Sequence, residues 1–600
     1  MTAPNRNTLW ADVLVDELAA AGVEAACVAP GSRSTPLVVA LASHPDIRIY
    51  SHLDERSAAF FALGRGRVGS PTAVVTTSGT ATANLHPAVM EADQASVPLL
   101  VLTADRPPEL GDSGANQTVD QEKLYGDAVR WYRDLPEPEA DARKLRSLRT
   151  TTARAVSEAT GLPAGPVHLN VRFRKPLEPT EVPGDVPGDF AASAPLAVSG
   201  RDGPFVRTTR GRPTLDETAL DTIADAVATA SRPLLVAGPA DPVTGGDSPG
   251  SGALLARLAD RLDAPLLADP LSGLRFGEHV SDTPVFGGYD AYLGGAGENT
   301  AGSSIAAESW PHPDLVLRVG ASPTSKPLRH YLRDVSAKQL LVDPAGGWRE
   351  ASFTATDLVI ADPDRLLEAL LSRFDDSSRT TEAGWRGRFA RVEARHWGLV
   401  TAHDDTLFEG GIIADVAGSV PDSTTLFVSN SMPVRDLDRF GRPRETDLTV
   451  LGNRGASGID GIASTALGAG SATDGPLVLV TGDLAYYHDM NGLLALSRCD
   501  VDATIVLVNN DGGGIFHMLP IEDFDPPFTG QFKTPHGLDF SATESLYDLT
   551  FERVETRDAF RDRFAVSVDR EGTQVIEVGT DAEASHRQRE RLREDLIETL

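Results

Sequence analysis

Short apolar runs alternate with helical patterns along most of this chain, and this alternation limits the possible folds more than any other feature. The runs at 72–76, 233–238 and 477–480 consist mainly of valine, leucine and alanine. A run that is apolar at nearly every position suits a strand buried on both faces, and strands that alternate with helices form parallel sheets. The sequence therefore predicts an α/β fold with three doubly wound parallel-sheet domains.

Two passages with little hydrophobic periodicity divide the chain. The first, at 178–213, is rich in proline, glycine and aspartate, and the second is predicted at 376–400. Such passages are typical of linkers. We therefore predict an N-terminal domain at 1–177, a central α/β domain at 214–375 and a C-terminal domain at 401–600. The first and last domains are candidates for one shared fold.

Composition excludes several classes of protein. With 41% hydrophobic and 24% charged residues over 600 positions, the chain is typical of a globular protein with several cores. Two cysteines cannot form a disulfide framework, and no apolar run is long enough to cross a bilayer. The start of the chain lacks the features of a signal peptide and predicts an amphipathic helix capped near Asn7 or Thr8. We therefore expect a cytoplasmic protein without membrane insertion.

The formal net charge of −31 argues against a surface that binds nucleic acid. The chain has only six lysines, and its acidic residues are spread along its whole length. We take a halophilic source as a hypothesis, which full stability in low-salt buffer would contradict. The alternative is that an acidic surface simply aids solubility.

Polar residues follow two apolar runs of the last domain. Asp483 comes directly after a run that ends in Val-Thr-Gly, and Asn510 follows the run at 504–508. The carboxyl ends of neighbouring parallel strands meet at one ligand-binding edge. The two side chains and the Gly512 carbonyl offer hard oxygen ligands, too few to enclose a cation, so phosphate oxygens and water would complete an octahedral Mg²⁺ site. The alternative is an ordinary strand-turn-helix corner with an aspartate cap.

These segments resemble the cofactor motif of thiamine diphosphate enzymes, in which Gly-Asp-Gly is followed after a spacer by Asn-Asn; Leu484 stands at the third position here. The resemblance implies thiamine diphosphate with Mg²⁺ or Mn²⁺, held by a pyrimidine domain and a diphosphate domain at the two ends of the chain. It also implies a glutamate that holds N1′ of the aminopyrimidine, and Glu55 matches this position. Taken alone, Glu55 would be a helix first-turn residue stabilised by the dipole.

The same resemblance implies a set of ligands. The cofactor-binding positions are Glu55, Ser431, Ile459, Gly482, Asp483, Leu484, Asn510, Ile515 and Phe516, and the metal ligands are Asp483, Asn510 and Gly512. For Ile459 and Phe516 the alternative is ordinary core packing.

Further segments resemble a narrower family, the 2-succinyl-5-enolpyruvyl-6-hydroxy-3-cyclohexene-1-carboxylate synthases of the menaquinone pathway. The resemblance covers essentially the whole chain and is weakest in the central domain. It depends on the segments at 29–37, 54–56, 77–80, 103–110, 114–117, 429–435 and 453–461. It implies 2-oxoglutarate and isochorismate as substrates. It also implies a homodimer or a dimer of dimers with active sites at the subunit interface.

Arginines in small-residue loops suit these substrates, because a guanidinium holds a carboxylate in a two-pronged geometry. The substrate-binding positions that the resemblance implies are Ser32, Arg33, Arg106, Asn116, Gln117, Lys326, Arg435 and Arg454; Ser32, Gln117 and Glu55 are also the implied catalytic residues. A surface salt bridge is the alternative for each arginine. A helix cap and a loop hydrogen bond are the alternatives for Ser32 and Gln117.

The expected reaction is decarboxylation of 2-oxoglutarate and conjugate (1,4) addition of the succinyl-semialdehyde carbanion equivalent to isochorismate, which makes the protein a transferase. An acetolactate-synthase-like or 2-oxoacid decarboxylase activity is the alternative within the same chemistry. It would use the same metal ligands and the same glutamate with a smaller, less cationic substrate pocket. A noncatalytic cofactor-binding scaffold is an alternative of another class, opposed by the presence of Glu55 and both metal-ligand side chains. A nucleotide-binding protein is a third alternative, weakened because the chain has no Gly-x-x-x-x-Gly-Lys-Ser/Thr segment.

Overall fold

The computed structural model describes residues 3–240, 251–293, 310–374 and 380–598. These residues form three six-stranded sheets, and neighbouring strands in each sheet run parallel. Helices connect the strands, so the predicted α/β class with three parallel-sheet units is confirmed. No helix in the described part of the chain has the length and apolarity to span a bilayer.

The three sheets follow one another along the chain. The first sheet contains β1 (Ala25–Ala29), β2 (Arg48–Ser51), β3 (Thr72–Thr76), β4 (Leu99–Asp105), β5 (Trp131–Asp134) and β6 (Pro166–Arg172). The central sheet contains β7 (Pro233–Ala237), β8 (Leu266–Ala268), β9 (Val285–Phe286), β10 (Leu315–Val319), β11 (Lys338–Val342) and β12 (Asp357–Val359). The last sheet contains β13 (Thr424–Val428), β14 (Leu448–Leu451), β15 (Leu477–Gly482), β16 (Thr504–Asn509), β17 (Thr550–Val554) and β18 (Gln574–Gly579).

Strand order relates the first sheet to the last. Their orders are β2-β1-β3-β4-β6-β5 and β14-β13-β15-β16-β18-β17, so both follow the same path through six strands. The central sheet differs, with the order β12-β11-β10-β7-β8-β9. Each sheet lies within one of the proposed domain ranges, whose boundaries stay predictions.

The longer helices of the first unit are Arg6–Ala20, Thr35–Ser43, Glu55–Arg67, His86–Gln94 and Ala142–Ala159. Those of the central unit are Glu217–Thr229, Ser251–Leu262, Lys326–Asp334, Pro363–Arg373 and Trp385–Ala402. Those of the last unit are Glu409–Ser419, Met432–Phe440, Ile462–Gly470, Arg557–Ser567 and Ala582–Glu598. Shorter α-helices are Thr80–Ala83, Phe190–Ser193, Pro195–Val198, His279–Asp282, Tyr289–Tyr292, Asp483–His488, Ala495–Cys499 and Thr543–Tyr547.

The central strands of each sheet are buried on both faces, as their continuous apolar runs predict, whereas β2, β5 and β17 are partly exposed. In β15, Leu477 and Leu479 pack into one core while Val478 and Val480 pack into another. This alternation follows from the two-residue period of a strand. The core that contains Leu479 also contains side chains of the first sheet, so the first and last units are packed together.

Two glycines allow this close packing. Helices Glu55–Arg67 and Ile462–Gly470 cross so closely that a Cβ at Gly64 would lie 2.0 Å from the Thr465 carbonyl oxygen. A Cβ at Gly468 would lie 2.0 Å from the Phe61 carbonyl oxygen. No side chain fits at either position. The contact fixes where helix Glu55–Arg67 begins relative to the last sheet.

Helix Arg6–Ala20, at the start of the chain, begins earlier than the predicted cap near Asn7 or Thr8. The Asn5 side chain caps it, accepting the Thr8 N–H at 3.0 Å. Asn7, the predicted cap, instead donates to the carbonyl oxygens of Arg174 and Pro176. Asn5 caps through its Oδ1 while its Nδ2 donates to the carbonyl oxygens of Glu178 and Thr180, so one side chain both caps the helix and ties it to that segment.

The predicted linkers also contain structure. Within 178–213, Phe190 packs into the core of the first unit. Within 376–400, helix Trp385–Ala402 buries Trp385 and Phe389 against the central sheet, while 375–379 fall outside the described residues. The linker prediction at 376–400 differs from the structure because apolar residues recur there at helical spacing.

Candidate active site

The carboxyl ends of β15 and β16 bring the predicted metal-binding residues together. Asp483 follows β15 directly, and Asn510 follows β16. Both line one cavity of about 200 Å³ together with Gly512. The lining also includes the predicted positions Ser431, Ile459, Gly482, Leu484, Ile515 and Phe516. All predicted cofactor-binding positions of the last unit therefore surround one cavity, which we call the diphosphate-side cavity.

Asp483 is almost fully buried, and hydrogen bonds hold both of its oxygens. Oδ1 accepts the Leu484 N–H at 2.7 Å, and Oδ2 accepts the Gly512 N–H at 2.8 Å. Burial raises the pKa of Asp483, and these donors oppose the rise. A nearby cation would add to their effect, because positive charge favours the ionised carboxylate.

Asn510 presents a buried oxygen to the same cavity. Its Nδ2 donates to Glu409 Oε1 at 2.6 Å, while Oδ1 is buried with no hydrogen-bond partner among the described residues. Buried polar atoms normally have a partner, and a carboxamide oxygen is a suitable ligand for a hard cation. The arrangement therefore fits a metal ion at this oxygen.

Gly512 occupies a position where no other residue fits. Its φ is 141°, and a Cβ there would lie 2.0 Å from the Lys533 carbonyl oxygen. The described residues contain no group of three or more histidine, cysteine, aspartate or glutamate side chains placed to hold a metal ion. A cation beside Asp483 would therefore need amide and carbonyl oxygens, with phosphate and water, to complete its coordination.

Glu55 lies in a different cavity. It begins helix Glu55–Arg67, and its Oε2 accepts from Asn84 Nδ2 at 3.2 Å. This cavity, of about 470 Å³, is also lined by Asn491 and Arg498 of the last unit. Among the described residues, the two cavities have no lining residue in common. A single chain therefore does not bring Glu55 and Asp483 into one cavity.

Arg106 and Gln117 lie together at the carboxyl edge of the first sheet. Arg106 Nη1 donates to the Gln117 carbonyl oxygen at 2.6 Å and to the Ser78 hydroxyl. Gln117 Nε2 donates to the Ser78 carbonyl oxygen at 3.0 Å. These contacts fix two of the predicted substrate-binding side chains against one turn.

The other predicted positions of the first unit differ in exposure. Ser32 and Asn116 are exposed, whereas Arg33 is buried and its Nη1 donates to the Phe173 carbonyl oxygen at 2.7 Å. Burial, followed by the positive charge of Arg106, lowers the pKa of Arg33. The two guanidinium groups therefore lie close enough to repel each other.

A second group of arginines lies beside the diphosphate-side cavity. Arg435 Nη1 donates to the Ser431 carbonyl oxygen at 2.6 Å, and Arg454 Nη1 donates to Asn430 Oδ1 at 3.1 Å. Burial, followed by the charge of Arg454, lowers the pKa of Arg435. Concentrated positive charge of this kind suits a carboxylate ligand.

The central unit adds to this positive charge. Arg329, in helix Lys326–Asp334, has a buried Nε with no hydrogen-bond partner among the described residues. Burial and the charge of Arg454 lower its pKa. The predicted residue Lys326 begins the same helix and is exposed. Sequence analysis missed Arg329 because nothing distinguishes it from the other charged residues of this helix.

A carboxylate of the first unit holds the loop at 453–459, which carries Arg454 and Ile459. Glu91 is 2% exposed and accepts three consecutive backbone N–H groups. Its donors are Gly455 at 2.8 Å, Ala456 at 2.6 Å and Ser457 at 3.2 Å. The loop is therefore positioned by contacts between the first and last units.

Sequence analysis missed two side chains that contact the predicted ligands. Glu409 accepts from Asn510, 101 residues away, and His536 Nε2 lies 3.1 Å from Asp483 Oδ2, 53 residues away. His536 Nδ1 accepts the Leu538 N–H at 3.0 Å, so Nε2 carries the hydrogen that is donated to Asp483. Neither residue belongs to a local motif, so no short-range signal could have identified it.

Two protein-family comparisons match the ends of the chain. The N-terminal TPP binding domain of thiamine pyrophosphate enzymes matches residues 9–124, and their C-terminal TPP binding domain matches residues 438–578. The first range contains Glu55, and the second contains Asp483 and Asn510. The predicted glutamate on the pyrimidine side and the two predicted metal-ligand side chains therefore fall within thiamine pyrophosphate domains. We call these two places the cofactor half-sites.

Proteins named 2-succinyl-5-enolpyruvyl-6-hydroxy-3-cyclohexene-1-carboxylate synthase are similar to the chain along its length. One from Haloarcula marismortui is 64% identical, and the alignment covers 100% of both chains. One from Halobacterium salinarum is 63% identical over 99% of this chain and 98% of the other. One from Roseiflexus castenholzii is 48% identical over 96% of this chain and 97% of the other.

Proposed function

This chain belongs to the family of 2-succinyl-5-enolpyruvyl-6-hydroxy-3-cyclohexene-1-carboxylate synthases, and from that premise we propose that it joins 2-oxoglutarate to isochorismate with release of CO2. The reaction is a thiamine diphosphate-dependent transfer in menaquinone biosynthesis. The observation that carries the proposal is the diphosphate-side cavity, which is lined by buried Asp483 and by Asn510, whose Oδ1 has no hydrogen-bond partner within the described part of the chain.

The residues of this cavity fit the diphosphate end of the cofactor. Asp483, Asn510 Oδ1 and the Gly512 carbonyl oxygen are proposed to hold Mg²⁺ or Mn²⁺, with phosphate oxygens completing the coordination. The remaining proposed cofactor contacts are Ser431, Ile459, Gly482, Leu484, Ile515 and Phe516. When bound, thiamine diphosphate supplies a nucleophilic carbon and accepts the electron pair released by decarboxylation.

Glu55 is proposed to hold a proton at N1′ of the aminopyrimidine. Because Glu55 and Asp483 line separate cavities of one chain, we propose that Glu55 of one protomer faces Asp483 of another. The assembly would be a homodimer or a dimer of dimers, with each active site at the subunit interface.

Four of the proposed substrate contacts are arginines. Arg33 and Arg106 would approach from the first unit, and Arg435 and Arg454 from the last. Guanidinium groups hold carboxylates in two-pronged geometry, which orients both substrates. The other proposed contacts are Ser32, Asn116, Gln117 and Lys326, of which Ser32 and Gln117 would orient a reacting group or a proton.

The proposed setting is the cytoplasm of a halophile. The similarity to proteins of Haloarcula and Halobacterium supports this source. A net charge of −31 suits solvation in concentrated salt. Activity measurements therefore belong in high-salt buffer.

Incubation with 2-oxoglutarate and isochorismate tests the proposed function. We expect CO2 release together with loss of isochorismate absorbance, and both should depend on added thiamine diphosphate and a divalent cation. Turnover of pyruvate without consumption of isochorismate would instead indicate an acetolactate-synthase-like or decarboxylase activity. Cofactor binding with no turnover of any of these substrates would indicate a noncatalytic scaffold.

A further inference from the structure

Glu409 lies beside the proposed cation ligands without belonging to them. It is the first residue of helix Glu409–Ser419 and is 2% exposed. Its side chain lines the diphosphate-side cavity together with Asp483 and Asn510. A buried carboxylate at such a place needs partners for both of its oxygens.

Both carboxylate oxygens of Glu409 are held. Oε1 accepts from Asn510 Nδ2 at 2.6 Å, and Oε2 accepts from Arg589 Nη2 at 2.5 Å. Arg589, on the C-terminal helix Ala582–Glu598, also donates to both oxygens of Asp436. The guanidinium therefore fixes the Glu409 carboxylate and shares its positive charge between Glu409 and Asp436.

The chemistry of the two partners decides which way the Asn510 carboxamide faces. A carboxamide has one accepting oxygen and one donating NH2, and the two ends are nearly equal in shape. An ionised carboxylate only accepts hydrogen bonds. The NH2 of Asn510 must therefore face Glu409, and Oδ1 must face away, where it is buried and unpaired among the described residues.

We propose that Glu409 is a positioning residue that orients Asn510 Oδ1 toward the divalent cation. This inference rests on the proposed function, because it assumes that the cation binds at Asp483 and Asn510. Hydrogen-bond partners that orient metal ligands typically contribute about 10- to 100-fold to metal affinity. Glu409 would therefore control cation binding without contacting the cation or the reacting atoms.

Glu577, the partner of the neighbouring residue Asn509, offers a matched control. Glu577 in β18 is 1% exposed, accepts from Asn509 Nδ2 at 2.6 Å and pairs with Arg553. It thus repeats the glutamate, asparagine and arginine arrangement of Glu409, but it does not line the diphosphate-side cavity. A change at Glu577 alters the same chemistry at side chains that do not line this cavity.

The test measures Mn²⁺ binding to the full chain in the presence of thiamine diphosphate, by calorimetry and by the electron paramagnetic resonance signal of free Mn²⁺. The side-chain NH2 of Glu409→Gln can donate a hydrogen bond to Asn510. The Asn510 carboxamide can then rotate so that its Oδ1 faces position 409 and no longer faces the cation. We expect Glu409→Gln to weaken Mn²⁺ binding about 10- to 100-fold. Glu577→Gln should bind Mn²⁺ like the unaltered protein.

A compensating double variant keeps the test decisive if Glu409→Gln folds poorly. In Glu409→Gln/Asn510→Asp, the glutamine can donate to one aspartate oxygen and leave the other oxygen for the cation. We expect this double variant to recover most of the lost Mn²⁺ affinity. A folded double variant that binds Mn²⁺ about 10-fold or more weakly than Glu577→Gln would overturn the proposal.

A parallel variant separates this inference from the proposed function. If Asp483→Asn binds Mn²⁺ normally, the cation does not bind at Asp483 and the proposed site itself is wrong. If Asp483→Asn loses Mn²⁺ but Glu409→Gln binds like Glu577→Gln, the site stands and the role of Glu409 is refuted.

Discussion

The Glu55→Gln variant is expected to fold normally and to lose turnover, with kcat lower by about 10²- to 10⁴-fold. Glutamine keeps the shape of the side chain and an oxygen that can accept from Asn84 Nδ2, as Glu55 Oε2 does at 3.2 Å. It cannot hold a proton at N1′ as a carboxylate does, so activation of the cofactor should fail. The measurement is kcat at saturating substrates, cofactor and Mg²⁺.

A control variant separates this role from a general effect of charge. Glu24→Gln makes the same chemical change at an exposed position just before β1. It should leave kcat unaltered. If Glu55→Gln also turned over at the normal rate, Glu55 would have no part in the chemistry, and the thiamine mechanism would need another acid.

The Asp483→Ala variant is expected to lose affinity for the cation and the diphosphate rather than turnover at saturation. Asp483 is the only carboxylate in the proposed ligand set, and changes to outer residues alone cost about 10- to 100-fold in metal affinity. We therefore expect the affinity for Mn²⁺ with thiamine diphosphate to fall by more than about 100-fold. Calorimetric titration measures this directly.

Asp483→Asn is the matched variant for Asp483→Ala. Alanine leaves the N–H groups of Leu484 and Gly512 without their acceptor, at about 1–3 kcal/mol each, so thermal stability should fall as well. Asparagine removes the charge and keeps one of the two accepting oxygens, so it should cost less thermal stability than alanine. Unchanged cofactor affinity in both variants would show that the diphosphate binds elsewhere.

The sequence was sufficient for the fold class because strand patterns are local. Runs such as 477–480 and 315–319 are apolar at nearly every position, and the structure forms β15 and β10 there. The differences arose where a distant contact overrides the local pattern. Asn5 and Asn7 both donate to carbonyl groups more than 150 residues away, and Asn5 is the one that caps the helix.

The candidate site was predictable only where it follows strand ends. Asp483 and Asn510 each come directly after a buried run, so the parallel-sheet rule places them at one edge. Glu409 and His536 reach the same cavity through tertiary packing and have no sequence pattern in common with them. The resemblance to thiamine enzymes supplied Glu55, which strand and helix patterns alone would have left as a helix first-turn residue.

The first and last sheets share one strand order, but Glu55 and Asp483 follow strands at different places in that order. Glu55 begins the helix after β2, and Asp483 begins the helix after β15. Each half-site thus lies at a strand-to-helix junction of its own sheet. Because the two cavities of one chain share no described lining residue, the account requires a second chain to complete the site.

A heterodimer of two variants tests that requirement most directly, when it is assayed at cofactor and cation concentrations at which Glu55→Gln and Asp483→Ala are each inactive. One chain would carry Glu55→Gln and the other Asp483→Ala, each with a different affinity tag, and the heterodimer would be purified through both tags. If each active site combines Glu55 of one protomer with Asp483 of the other, one of the two sites of a two-fold dimer stays intact, and about half of the normal activity is expected. A heterodimer as inactive as the two parent variants would contradict the account, because it would mean that both residues must come from the same chain.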